Sequence, residues 1–329
     1  MPIFQKDEAI SIAKEKLIKS GCSDENTTGI IEGILDAELS GIKSHGFHYL
    51  PIYCNHLKIG KINGNSHPST EKISNSAIKV NADNGFAHSG INKGLPILLE
   101  MCGKEGISSM SIYNSYNCGV LGFHTKRIAE KGFLALGFTN APASIAPIGG
   151  NKAVVGTNPF SLAVPYQQNA PIIIDQSASV VAKSEIAVRA KKGESIPEGW
   201  AFDNKGNITT DPKEALKGTM APSGGYKGFG TGLMVEILSA CIAGGNLGTQ
   251  ASSFAGEDGG PPGTGQFFIS IDPKKFNSNY ENSIQLLINS IVEQDGARLH
   301  GEKRQSNFQE NLNKGIEISE DLLNRIKQI

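Results

Sequence analysis

Gly149-Gly150-Asn151-Lys152-Ala153-Val154-Val155-Gly156-Thr157-Asn158-Pro159-Phe160-Ser161-Leu162-Ala163-Val164-Pro165 is the stretch on which the reading of this chain turns. Two glycine clusters flank a short apolar pair, and the second runs straight into an apolar segment of strand length. Glycine lets a backbone come close to a ligand. Thr157 and Asn158 offer side-chain hydrogen bonds, and Pro159 fixes the exit. Two further clusters have the same character: Ser44-His45-Gly46 upstream and Gly224-Gly225-Tyr226-Lys227-Gly228 downstream. Each sets glycine among small polar or ionisable side chains in largely apolar surroundings. The pattern points to an enzyme that holds a phosphate-bearing cofactor and a small anionic substrate.

Outward from that stretch, strand-like and helical runs alternate from about residue 70. Strands are expected at 77–80, 108–113, 133–138, 160–164, 171–174 and 266–271, with helices at 89–101, 119–131 and 229–243. Such alternation predicts a mixed α/β architecture. The first forty residues read as two helices. Ile10, Ala13, Leu17 and Ile18 share one face before a stop at Gly21. Ser23 then caps a second helix carrying Ile30, Ile31, Ile34 and Leu35, which ends at Gly41. From Asn277 the chain is helical and polar on one face, anchored by Leu322, Leu323 and Ile326. Three units are expected: a helical segment 1–70 with the Ser-His-Gly site, a cofactor- and substrate-binding core 71–275, and a helical segment 276–329 packing with the N-terminal part.

The 329 residues are 39% hydrophobic and 19% charged, with a net charge of -1. That is globular, and it leaves no basic patch for nucleic acid. No apolar run reaches the roughly 20 residues that span a bilayer, so no membrane role is expected. The opening MPIFQKDEAISIAKEK meets charge within six residues and reads as neither a signal nor a transit peptide. Five scattered cysteines without a C-x-x-C pair argue against a disulfide framework or zinc site. A reducing cytoplasm fits them, and no metal is expected.

His45 can exchange a proton near neutral pH, with Ser44 positioned to bond a substrate oxygen. A lone histidine at a helix end is equally satisfied by local backbone. Asp175 follows Ile172-Ile173-Ile174, which should be a buried strand. A carboxylate there wants a partner. It either orients a histidine as in a catalytic triad or caps the segment 180–189. Lys227, near a helix start with open N–H groups, can hold a phosphate. No G-x-G-x-x-G and no P-loop occurs, so a dinucleotide would not bind by the Rossmann fingerprint.

Taken together, these pieces resemble the malate/L-lactate dehydrogenase family of the second, non-Rossmann type. The marks are Ser44-His45-Gly46, Asn140 through Gly150, Gly156-Thr157-Asn158-Pro159 and Asp175 with Ser177–Lys183. Further marks are Gly199-Trp200-Ala201, Thr210-Asp211-Pro212, Gly225-Tyr226-Lys227-Gly228 and Gly265-Gln266-Phe267-Phe268. The match runs from about residue 5 onward. The resemblance implies a sheet-based, non-Rossmann NAD(P)-binding fold, usually in a homodimer. The cofactor it implies is NADP or NAD, with NADPH favoured. It places Ser44, His45 and Asp175 in catalysis, and Tyr49, Asn117 and Thr157 at the substrate. It carries cofactor contacts onto Asn140, Gly156, Asp175, Gln176, Ser177, Lys227 and Gly228.

The implied reaction passes a hydride between the nicotinamide and C2 of a small 2-hydroxy or 2-oxo acid of malate, lactate or sulfolactate type. This chain departs from many hydroxy-acid members in having Tyr49 and His56 where they have arginines. It has Asn117 where some have a catalytic histidine. Those departures motivate a second reading, reduction of a cyclic imino acid (Δ1-pyrroline- or Δ1-piperideine-2-carboxylate), and leave a remote third, a non-catalytic nucleotide-binding protein.

Overall fold

The computed structural model describes residues 2–166 and 170–329. Its centre is a seven-stranded sheet. In chain order the strands are β2 (Ser69–Lys72), β3 (Ala77–Asn81), β4 (Ile107–Ser115), β5 (Leu134–Thr139), β6 (Phe160–Val164), β7 (Ile172–Gln176) and β10 (Thr264–Ile271). Their spatial order is β2-β3-β4-β10-β5-β6-β7. Only β3 and β4 run parallel; every other neighbouring pair is antiparallel. This is not a doubly wound parallel sheet, which accounts for the missing glycine fingerprint. β10 inserts between two strands made much earlier in the chain, with Phe268 opposite Met110 of β4 and Gly137 of β5. A side chain at 137 would stand 3.1 Å from the Phe268 ring, so glycine there lets the aromatic fill the core.

Helices α4 (Ala87–Glu105) and α5 (Leu121–Ala129) cover this sheet. Val80, Ile91, Leu98, Met110, Ile112 and Phe268 share one core between them. A second core lies under α1 (Lys6–Lys19), α2 (Asp24–Leu39) and α3 (Leu50–Lys58). α11 (Glu302–Lys314) packs on α2, and α12 (Glu320–Lys327) on α3. Strand β1 (Ile3–Phe4) pairs with β11 (Ile316–Glu317), so early and late segments close one layer. By contrast α10 (Tyr280–Val292), which follows the short α9 (Pro273–Phe276), reaches the strand layer: Tyr280 donates to the Pro165 carbonyl at 3.1 Å. A third, smaller core gathers Ile145, Val155, Ala178, Ile186 and Met220 around α6 (Lys183–Lys192), α7 (Pro212–Lys217) and the β8 (Ala201–Phe202)–β9 (Thr219–Met220) pair.

The helix expected at 229–243 starts earlier and changes form. α8 runs Tyr226–Glu236, and the chain then widens into a π turn at Ile237–Ile242. The caps follow the sequence reading: Ser23 accepts the Asn26 N–H, and Gly21 and Gly41 adopt φ of 98° and 79°. Among the described residues no helix is long and apolar enough to cross a membrane.

Candidate active site

After α2 the chain makes two single 3₁₀ turns, Lys43–His45 and Phe47–Tyr49, joined at Gly46. A side chain on Gly46 would run into the Glu38 carboxylate. That carboxylate is buried and accepts the Phe47 N–H at 2.9 Å. Burial pushes the Glu38 carboxyl up, and the Phe47 N–H opposes it. The turn bearing His45 is therefore clamped from α2 by a residue that the sequence did not single out.

His45 Nδ1 lies 3.0 Å from Ser44 Oγ. Its ring stacks on Tyr49 with centroids 5.9 Å apart. Burial is the largest influence on the imidazole and holds its pKa below the usual value; Asp175 raises it and Arg304 lowers it.

Asp175 stands near the end of β7, opposite Ser161 of β6. A Cβ on Gly122, at the start of α5, would stand 2.9 Å from Asp175 Oδ2, so the carboxylate rests against a helix N-terminus. Its partner is not His45. Arg304, in the first turn of α11, puts Nη1 2.9 Å from Asp175 Oδ2, with side-chain exposures of 41% and 10%. The expected triad-like contact is replaced by Ser44 on the imidazole and Arg304 on the carboxylate.

The glycine-rich stretch at 149–159 is strapped to the Asp175 strand through backbone. The Thr157 carbonyl accepts Ser177 Oγ at 2.9 Å and the Ala178 N–H at 2.8 Å. Gln176 is exposed beside them. Gly156 has no room for a Cβ against the Ala141 carbonyl. Asn158 takes φ +34° and is fully buried. Its amide donates to Glu236 Oε2 at 2.7 Å and to the Gly232 carbonyl at 2.9 Å.

Asn140 is also buried. It donates to the Asn246 carbonyl at 2.9 Å and to Glu236 at 3.4 Å, and accepts the Gly265 N–H at 3.0 Å. These three bonds engage both ends of its side-chain amide. Glu236 also accepts the Gly248 N–H at 2.6 Å, which makes it the hub of the site's floor.

Asn117 accepts Tyr53 Oη at 3.0 Å and the Gly119 N–H at 3.1 Å. His56 is buried against Tyr116 Oη at 2.6 Å and belongs to an aromatic cluster of Tyr53, Phe86, Tyr116 and Phe254. It is not an anion site. Lys227 is exposed in the first turn of α8, after Gly224 and Gly225 with φ of 69° and 65°. The Ser223 N–H joins that turn to the Ala178 carbonyl at 2.8 Å. Gly228 packs on Ser223, leaving no room for a Cβ.

The residues that the sequence did not single out lie at 298–304. An open cleft of about 440 Å³ is lined by Arg298, His300, Lys303 and Arg304 together with Ser40 and Asn307, and no acidic side chain among the described residues lines it. Gly301 lies against Ile173 of β7. Four basic groups within seven residues of a polar segment were the available signal.

A model of the malate/L-lactate dehydrogenase family matches residues 4–327. The (2R)-3-sulfolactate dehydrogenase (NADP(+)) of Chromohalobacter salexigens is 36% identical over 294 residues, covering 89% of this chain and 88% of that protein. A Δ1-pyrroline-2-carboxylate reductase of Pseudomonas fluorescens is 30% identical, over 98% and 96%. Among solved structures, the Δ1-piperideine-2-carboxylate reductase of Pseudomonas syringae superposes with a TM-score of 0.91 at 28% identity, covering 100% of this chain and 99% of that one.

Proposed function

The chain belongs to the malate/L-lactate dehydrogenase family, and on that footing we propose that it is an NADP-dependent oxidoreductase of small 2-hydroxy and 2-oxo acids, those carrying a second anionic group included. The observation that carries this reading is the half-buried His45, with Ser44 on Nδ1 and the Asp175–Arg304 pair beside it.

The cofactor's phosphates are strongly anionic, and the acid-free cleft of Arg298, His300, Lys303 and Arg304 suits them. Exposed Lys227 at a helix start, with Gln176 and Ser177 beside the Thr157 strap, supplies further contacts. Bound there, a nicotinamide supplies or accepts the hydride at C2 of the acid. His45 takes the hydroxyl proton in oxidation and returns one to the oxygen in reduction. Tyr49 and Asn117 shape the substrate's surroundings, and Thr157 offers it a hydroxyl.

A cyclic imino acid is the second reading, and the same histidine favours it. Desolvation disfavours the protonated imidazole, and a cyclic imine that arrives protonated needs no acid. The relatives named for pyrroline- and piperideine-2-carboxylate reduction add support.

The test is loss of reduced nicotinamide absorbance with NADPH and NADH against pyruvate, oxaloacetate, sulfopyruvate and the two cyclic imino acids. Turnover with the oxo acids bears out the main reading. Turnover with the imines alone replaces it. Cofactor binding without turnover on the whole panel makes the protein a nucleotide binder.

The working unit in this proposal is a homodimer. Leu233, Met234, Ile237 and Ile242 are exposed along α8 and its π turn, a run of large apolar side chains of the kind that oligomers cover. Cys241 lies on the same run and is exposed, while the other four cysteines are buried. Light scattering should give twice the chain mass, and Leu233→Glu should halve it and speed thiol labelling of Cys241. A native monomer would remove this part of the proposal. A cytoplasmic setting, with all five thiols reduced, accompanies it.

A further inference from the structure

The histidine and the carboxylate of this site each have a partner, and neither partner is the other. His45 Nδ1 is bonded to Ser44 Oγ at 3.0 Å, and Asp175 Oδ2 to Arg304 Nη1 at 2.9 Å. Three separate elements meet here: the turn after α2, the end of β7 and the first turn of α11. Arg304 reaches in from the basic cleft with 41% of its side chain exposed, while Asp175 is 10% exposed. A guanidinium carries five N–H donors in a planar fork suited to oxyanions. One of them meets Asp175 among the described residues, and the cleft around the rest holds three more basic side chains and no acid.

We propose that Arg304 is an anion-operated latch on Asp175: an oxyanion of the bound ligand draws the guanidinium into the cleft and leaves the carboxylate to His45. The chemistry is shared by two sources, a cofactor phosphate and a substrate carboxylate. With Arg304 on Asp175, the guanidinium adds to the desolvation that already disfavours the imidazolium. With the anion in place, Asp175 holds the imidazolium, and His45 becomes a proton donor only when there is something to protonate. This rests on His45 being the proton carrier of the proposed reaction.

The other ionisable groups around His45 do not compete. Burial pushes the Tyr49 phenol up to about 12, so it stays neutral. Burial likewise pushes the Cys118 thiol up to about 12. Glu38, beneath the turn, gives its carboxylate to the Phe47 N–H.

The experiment is an NMR titration of the His45 imidazole in the full chain, alone, with NADP(+), and with oxamate, for the wild type, Arg304→Met and Arg304→Lys. A latch makes the wild-type pKa rise on adding an anion. It makes the ligand-free pKa of Arg304→Met already higher than that of the wild type, and Arg304→Lys falls between. A rise with NADP(+) alone assigns the anion to the cofactor, and one with oxamate alone assigns it to the substrate; both support the latch. The KM of the assigned ligand should rise about ten- to a hundredfold in Arg304→Met, the scale of a charged hydrogen bond. A wild-type pKa that neither anion moves overturns the proposal, as does an unchanged pKa in a folded Arg304→Met. Should that variant not fold, the wild-type titration still decides. The titration needs no turnover, so a protein inactive on every substrate still shows whether the latch operates. An active enzyme with an immobile His45 pKa sinks the latch alone.

Discussion

Ser44 Oγ lies 3.0 Å from Nδ1 of His45, so the residue just before the histidine, rather than a distant carboxylate, holds the imidazole in this structure. A hydrogen bond to Nδ1 leaves Nε2 as the nitrogen that can meet a substrate. The arrangement depends on Gly46 and Glu38, which fix the turn from below.

His45→Ala is expected to lower kcat by about 10²-fold or more, the scale of general acid–base catalysis. Ser44→Ala should lose less, about tenfold, in line with one hydrogen bond. Steady-state rates with the preferred acid and a matched melting temperature check this. Full turnover in a folded His45→Ala would remove that residue from the mechanism.

The pH dependence follows from the half-buried imidazole, whose desolvation holds its pKa below the ordinary 6.5. Oxidation needs the neutral ring, so its kcat/KM should rise with pH through that ionisation and be flat by neutrality. Reduction needs the protonated ring, and its kcat/KM should fall over the same range. Profiles taken between about pH 5 and 8 test both limbs. An inflection above 6.5 in the ligand-free enzyme would contradict the desolvation of the His45 ring.

Acid stability should be governed by a second pair of histidines. His88 on α4 and His124 on α5 are buried with ring centroids 5.1 Å apart. Desolvation pushes His88 down to about 3, helped by Arg127, and holds His124 well below its usual value. The unfolded chain takes up these protons near pH 6.5 and the folded one does not. Stability present above that pH is therefore lost as pH falls, by about 1.4 kcal/mol per unit for each group, until the folded His88 titrates. Urea unfolding across this window should show a slope that His88→Leu reduces by one proton. An unaltered slope would mean that the unfolded state does not see the difference.

Glu236→Ala should cost about 3 kcal/mol, because it strands buried donors of Asn140, Asn158 and Gly248. Glu236→Gln should cost less, since one acceptor oxygen survives. Chemical denaturation compares them. Equal stability of all three proteins would show that water replaces the carboxylate.

The sheet was legible where alternation or a bounded apolar run marked it, as at β3, β6 and β10. It was not legible at β2, whose four residues are all exposed and carry no period. The π turn was invisible because Ile237–Ile242 is as apolar as the helix before it, and the widening has no local mark. In the site, Ser44-His45-Gly46 declared itself because adjacent residues make it. The resemblance carried a cofactor contact onto Asn140, while its burial and its bonds to Asn246, Gly265 and Glu236 arise only when β10 inserts beside β5 and have no local mark. Arg304 hid in a polar surface helix, and Glu236 in an apolar one.

The Asp175–Arg304 contact joins residues 129 positions apart, and the strand β10 that closes the floor is itself made long after its neighbours β4 and β5. Contacts of such long range form late, since the intervening chain must be ordered first. A chain refolding from denaturant should therefore regain its helices well before its catalytic arrangement. During synthesis, His45 and Asp175 exist together for some time before Arg304 has been added to the chain.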